Sequence, residues 1–217
     1  EHAKIDHNRI TYSLDVYKNK LALDHSSLVN FETMMISRFQ MFKAVYFHKT
    51  VRAGEVMLLE AMTLADDELG LTSLALNDYV KQTDESIMAL LLSLPETTPE
   101  LRASKKIAND YQNRRLFKCV FERILSTNLD TKIMQELKNQ IAKKSKVSTS
   151  QVFLDTSTTH SIPQTPSKKE SKSIILVKKD SNKIISEQIP ISKIPLVSSM
   201  SGKMNILRVY TQENNRK

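Results

Sequence analysis

Leu28, Phe31, Met35, Phe39, Phe42, Val45, Tyr46, Thr50 and Met57 follow one another at largely three- and four-residue spacings, and this run constrains the fold more than any other feature. Such spacing keeps apolar side chains on one face of a helix. Asp24-His25-Ser26-Ser27 supplies N-cap oxygens just before it, and Asp66-Asp67-Glu68 with Gly70 closes it. The pattern predicts a helix over 27–64. At 1.5 Å per residue that helix would exceed about 50 Å, long for a small domain, so a kink is expected near Gly54. With no covering element in view, the apolar stripe of Phe31, Met35, Phe39, Phe42 and Met57 is expected to be exposed and to drive self-association.

The rest of the first 146 residues is also helix-forming. Gly occurs there only at 54 and 70, and Pro only at 95 and 99. Short helices are predicted over 77–82 and, capped by Thr83, over 86–94. Thr98-Pro99 starts another that continues to about 126 and contains Cys119, read as a small core residue. The last helix of this body is predicted over 129–144. Beyond 146 come four prolines, many Ser and Thr, and short β-branched runs at 151–154, 173–177, 183–185 and 204–211. The expected fold class is mainly α, a helical body over 1–146 followed by a small α+β or β end-module over 147–217. A Ser/Thr/Pro/Lys loop is expected at 155–172, open to protease.

Composition excludes several classes. Among 217 residues, 32 Lys and Arg against 24 Asp and Glu leave a formal charge of +8. No apolar run approaches the roughly 18–20 residues that span a bilayer, so no membrane partner is expected. One cysteine excludes an internal disulfide and fits a reducing, cytoplasmic setting. The five histidines show no metal-ligand spacing, and there is no Gly-rich phosphate loop and no G-x-S-x-G. The lysines at 168, 169, 172, 178 and 179 could meet nucleic-acid phosphates. No interleaved aromatic platform accompanies them, so a nucleic-acid partner is disfavoured.

The informative stretch is Ser37–Thr50, SRFQMFKAVYFHKT. On one helix Arg38 and Lys49 would be offset by about 20° and Tyr46 by about 80° from Arg38. A guanidinium, an ammonium and a phenol would then share a sector suited to a planar, phosphorylated ligand. The alternative is that Phe42, Val45 and Tyr46 are core while Arg38 and Lys49 snorkel to water. Spacing alone favours that alternative.

The run RFQMFKAVYFHKTVRAGEVML, with Arg38 eight residues before Tyr46-x-His48-Lys49, resembles the C-terminal half of HD-domain metal-dependent phosphohydrolases. These are the deoxynucleotide triphosphohydrolase-like proteins, including the SAM- and HD-domain branch. Asp6-x-x-Arg9, Asn113-Arg114-Arg115-Leu-Phe-Lys118 and Leu207-Arg208-Val-Tyr-Thr211 are similar to flanking elements of that family. The resemblance implies that Arg38 and Tyr46 contact substrate phosphate and sugar. It implies that His48 and Lys49 contact a regulatory nucleotide or a neighbouring subunit of a homo-oligomer. It also implies a divalent metal that activates water. The metal-binding His and Asp residues and the Lys/Tyr/Asp cluster that follows them are absent from this chain. They are expected upstream of Glu1, in the HD portion of the same protein. Asp24 and Ser26 stand where nucleotide-controlled relatives carry basic residues. The chain, which starts without Met, is therefore expected to be a fragment, inactive alone, of an enzyme acting on a nucleotide or related phosphoester. The competing reading is a non-enzymatic basic helical adaptor for nucleic acid or protein.

Overall fold

The computed structural model describes residues 5–127, 129–160, 173–180, 183–190, 194 and 203–212. Its elements are α1 (His7–Tyr12), β1 (Leu14–Tyr17), β2 (Lys20–Asp24), α2 (Leu28–Met41), a π-helical turn (Phe42–Tyr46), α3 (Lys49–Leu69), α4 (Leu76–Tyr79), α5 (Asp84–Ser93), α6 (Pro99–Gln112), β3 (Lys118–Leu125), α7 (Thr131–Ser145), β4 (Phe153–His160), β5 (Ser173–Asp180), β6 (Lys183–Pro190) and β7 (Lys203–Thr211). The fold is predominantly helical, with two sheets. Among the described residues no helix is long and apolar enough to cross a membrane. The chain forms two compact units, 1–46 with 158–205 and 47–157 with 206–217. It therefore passes between units three times, where composition suggested one boundary at 146/147.

The first unit is built on a sheet of order β1-β2-β5-β6. Lys18 and Asn19 both have positive φ, which makes the tight turn that folds β1 back on β2. This hairpin escaped the sequence reading because its turn lacks glycine. β2 then pairs in parallel with β5, Leu23 opposite Leu176, and both of these leucines are buried. A small apolar cluster joins Leu28, Phe31, Met34 and Met35 of α2 to Ile174, Ile189 and Ile194.

In the second unit α3 buries Ala53, Met57, Ala61 and Ala65 completely or nearly so. These small side chains admit α6 at close range, where the buried Ser104 Oγ donates to the Ala61 carbonyl at 2.7 Å. Leu91 and Leu94, Leu101, Ile107, Phe117, Phe153 and Tyr210 complete this core. Thr83 caps α5 through a reciprocal capping box with Ser86, and Thr98 caps α6 ahead of Pro99, as their sequence positions predict. The predicted helices at 77–82 and 129–144 correspond to α4 and α7. The strands expected near 151–154, 173–177, 183–185 and 204–211 are β4, β5, β6 and β7. β7 is the middle strand of a second sheet, β3-β7-β4.

Several expectations are corrected. The helix over 27–64 is interrupted by the π-turn and by an extended backbone at His48, whose ψ is 134°. The Val45-Tyr46-Phe47 run loses side-chain freedom in a helix, and long-range partners, described below, take the carbonyls around the break. Gly54 is not the kink. It lies inside α3, where an added Cβ would come within 3.2 Å of the Tyr111 ring, so glycine there serves close packing of α3 against α6. The apolar stripe is not one exposed face, because Met35 is buried in the first unit and Met57 in the core of the second. Finally, α6 stops at Gln112, Arg114 turns left-handed at φ 57°, and 118–125, including Cys119, is strand. Leu116, Val120 and Ile124 are four apart, a spacing in phase with both helix and strand, so periodicity could not separate the two. The predicted loop at 155–172 begins later, since β4 runs to His160. Residues 161–172 lie outside the described residues.

Candidate functional site

In the first unit the last turn of α2 carries Arg38. Its guanidinium lies 4.4 Å from the Phe42 ring centroid, and Phe42 in turn lies 4.8 Å from the ring of Tyr46. The π-turn, by widening the helix, sets these three side chains in a row, with Tyr46 at the exposed end, 47% accessible. Arg38 and Ser37 also line a cavity of about 230 Å³ whose other walls include Ile5, Met34, Met41 and Val45. Arg38 Nη1 and Ser37 Oγ are buried without a hydrogen-bond partner among the described residues. An unmet donor on a charged group is costly, on the order of 1–3 kcal/mol or more, and an anionic oxygen would satisfy it.

His48 and Lys49 belong to the second unit. His48 is the N-cap of α3, its Nδ1 accepting from the Thr50 N–H at 3.3 Å, and the Lys49 carbonyl accepts from the Tyr210 hydroxyl at 2.9 Å. Both residues are exposed. Arg38 and Tyr46 thus both lie against Phe42 in the first unit, whereas His48 and Lys49 open α3 in the second.

Three groups near that segment were given no site role by the sequence. Arg52, on the first turns of α3, pairs with Asp155 of β4 and Glu55, its Nε donating to Asp155 Oδ2 at 3.0 Å. This pairing raises the Arg52 pKa, the hydrogen bond to Asp155 contributing most. Arg208 and Tyr210 sit two apart on β7, a spacing that places both on one face of a strand and was readable once the strand was recognised. Burial raises the Tyr210 phenol well above its ordinary value and also raises the Cys119 thiol, so neither ionises near neutral pH.

The geometry can now be set beside known proteins. Residues 5–217 match the family described as the HD associated region. The chain is an HD-associated region. A deoxynucleoside triphosphate triphosphohydrolase SAMHD1 homolog from Dictyostelium discoideum is 30% identical over 142 residues, 64% of this chain and 27% of that protein. A putative HD domain-containing protein of Acanthamoeba polyphaga mimivirus is 31% identical over 118 residues, 48% of this chain and 26% of that one. Among solved structures, a phosphohydrolase from Bacteroides thetaiotaomicron superposes with a TM-score of 0.63 at 20% identity, covering 96% of this chain and 56% of that one. A hypothetical protein from Aquifex aeolicus gives 0.62 at 22% identity, covering 97% and 50%. This HD-associated region spans about a quarter of the curated relatives and about half of the solved structures it matches. The relatives make the chain HD-phosphohydrolase-like, as its Arg38–Leu58 run suggested.

Proposed function

We propose that this HD-associated region is the C-terminal portion of a metal-dependent HD-family phosphohydrolase and supplies its substrate- and subunit-contacting surface. The substrate class is a nucleotide, such as a deoxynucleoside triphosphate, or a related phosphoester. The observation that carries this reading is the unmet, buried Nη1 of Arg38, a residue that lines a small cavity, in a chain whose relatives include a triphosphohydrolase homolog. Arg38 binds a phosphate oxygen there, and the exposed Tyr46 ring offers a stacking face with a polar tip. His48 and Lys49 meet a regulatory nucleotide or a neighbouring subunit of a homo-oligomer.

Among the described residues no group of three or more His, Cys, Asp and Glu could hold a metal ion. These residues do not fit a metal centre, and no step of the reaction runs through one here. The ligands of the family's divalent metal are assigned to the HD portion upstream of Glu1, in a cytoplasmic enzyme.

The test is steady-state hydrolysis of deoxynucleoside triphosphates by the full-length protein loaded with divalent metal. Arg38→Ala should lower kcat/KM by about one to three orders of magnitude, because it removes a charge-assisted contact. Arg38→Lys should recover only part, since an ammonium lacks the planar fork. Wild-type kinetics in a folded Arg38→Ala protein would end this reading. Steeply salt-dependent nucleic-acid binding without hydrolysis would instead favour the basic adaptor.

A further inference from the structure

The second unit holds a hydrogen-bonded cluster that the proposal above leaves unused. Arg208, on the middle strand β7, is only 3% exposed, yet its three nitrogens reach three separate elements. Nε donates to Glu122 Oε2 on β3 at 2.6 Å, Nη1 to Ser157 Oγ on β4 at 3.1 Å, and Nη2 to the Phe47 carbonyl at 2.7 Å. Ser157 in turn donates to Asp155 at 3.0 Å, the carboxylate that holds Arg52 on α3. Two residues along β7, the fully buried Tyr210 donates its hydroxyl to the Lys49 carbonyl at 2.9 Å.

The two accepting carbonyls flank His48, where the backbone leaves helical geometry before α3. The Phe47 carbonyl lies outside the α3 ladder, and burying it unpaired would be costly, whereas the Lys49 carbonyl, on the first residue of α3, takes the Tyr210 hydroxyl as a further donor. Locally, His48 is held by its 3.3 Å cap contact and by its carbonyl, which accepts from the Arg52 N–H at 3.0 Å. The carbonyls on either side of it are held from β7, through bonds that span 161 residues of sequence. Both donors act on backbone carbonyls, so β7 engages neither the His48 imidazole, whose Nδ1 caps α3, nor the Lys49 ammonium, and both residues are exposed.

We propose that Arg208 and Tyr210 are positioning residues, a two-donor clamp that presets His48 and Lys49 to meet the phosphates of a bound nucleoside triphosphate. The proposal rests on the reading of His48 and Lys49 as nucleotide contacts. A preset backbone reduces the ordering that the ligand must otherwise impose, and so strengthens binding without touching the ligand.

Binding of the α,β-imido analogue of dATP to the full-length protein, followed by calorimetry, tests the clamp alongside the His48 imidazole nitrogen resonances. Lys49→Ala should weaken binding by about tenfold, the loss of one charged contact. Tyr210→Phe should weaken it by about threefold, and Arg208→Lys by about three- to tenfold, with Arg208→Met worse than Arg208→Lys. In the clamp variants the His48 resonances should shift. A general loss of stability would not order Arg208→Lys above Arg208→Met in affinity while moving those signals in the folded protein. Tyr210→Phe, lacking a single hydroxyl, keeps the test open should the Arg208 variants fail to fold.

If Lys49→Ala weakens binding while both clamp variants leave affinity and His48 resonances unchanged, the clamp is overturned and the nucleotide reading stands. If Lys49→Ala and His48→Ala bind the analogue as the wild type does, that reading falls and takes the clamp with it. A lowered melting temperature with unaltered affinity and resonances would make Arg208 and Tyr210 purely structural, which also overturns the proposal.

Discussion

Helices α2 and α3 follow each other within one run of apolar periodicity, but they bury their residues differently. α3 sinks four residues of one face, Ala53, Met57, Ala61 and Ala65, into the core of its unit, and its arginine, Arg52, is tied to Asp155 and Glu55. α2 buries Met35 and Glu32 and leaves its arginine, Arg38, with a nitrogen unmatched beside a cavity. The pairing of an arginine therefore says more about its role than its place in a periodic pattern. A guanidinium with its acceptors in the chain holds a scaffold together. One whose acceptor is missing is suited to a ligand.

The largest effect that would sharpen this contrast is on stability. Met57→Ala should cost about 2–5 kcal/mol in urea denaturation, because the side chain is fully buried in the core and its sulfur accepts from the buried Phe117 N–H. Met35→Ala, in the smaller cluster of the first unit, should fall at or below the lower end of that range. Equal losses would remove the distinction between the two helices.

Next in size is the paired arginine. Asp155→Ala should destabilise by about 2–3 kcal/mol, since it leaves the Arg52 guanidinium with Glu55 alone and takes the acceptor from the Ser157 hydroxyl. The value sits below that of a fully buried pair because the Arg52 side chain remains 21% exposed. Arg38→Met should behave in the opposite way. With the unmet donor relieved, stability should be unchanged or rise by up to about 1–3 kcal/mol, while hydrolysis by the full-length protein falls. A multi-kcal loss for Arg38→Met would show that this arginine is scaffold after all.

The smallest predicted effect concerns alkaline pH. Burial raises the folded pKa of Tyr210 above the value of about 10 for an exposed phenol. The unfolded chain then loses its proton first, so the contribution of Tyr210 is fully present below about pH 10 and declines as pH rises toward the folded pKa. Tyr210→Phe should cost about 1 kcal/mol at neutral pH through the lost bond to Lys49 and should flatten the alkaline limb. Denaturation series between about pH 8 and pH 11 measure both. A limb just as steep in Tyr210→Phe would assign it to other groups.

Sequence alone determined the features whose chemistry is complete within a few residues. Thr83 and Thr98 cap their helices, Gly70 ends α3 with a left-handed backbone, and the β-branched run at 173–177 is a strand. The Arg38–Leu58 run was equally legible as a family likeness, and with it the residues chosen for the candidate site. Tertiary structure decided the rest. The carbonyls on either side of His48 accept from Arg208 and Tyr210, 161 residues away, and Arg52 finds Asp155 103 residues away. β2 finds its parallel partner β5 only across most of the chain, and 118–125 becomes strand where its four-residue spacing fits helix equally well. The cavity beside Arg38 likewise needs Ile5 and the last turn of α2 in place together. A local pattern can fix a cap or a turn because donor and acceptor are neighbours in the chain. It cannot choose among acceptors that only folding brings within hydrogen-bond range.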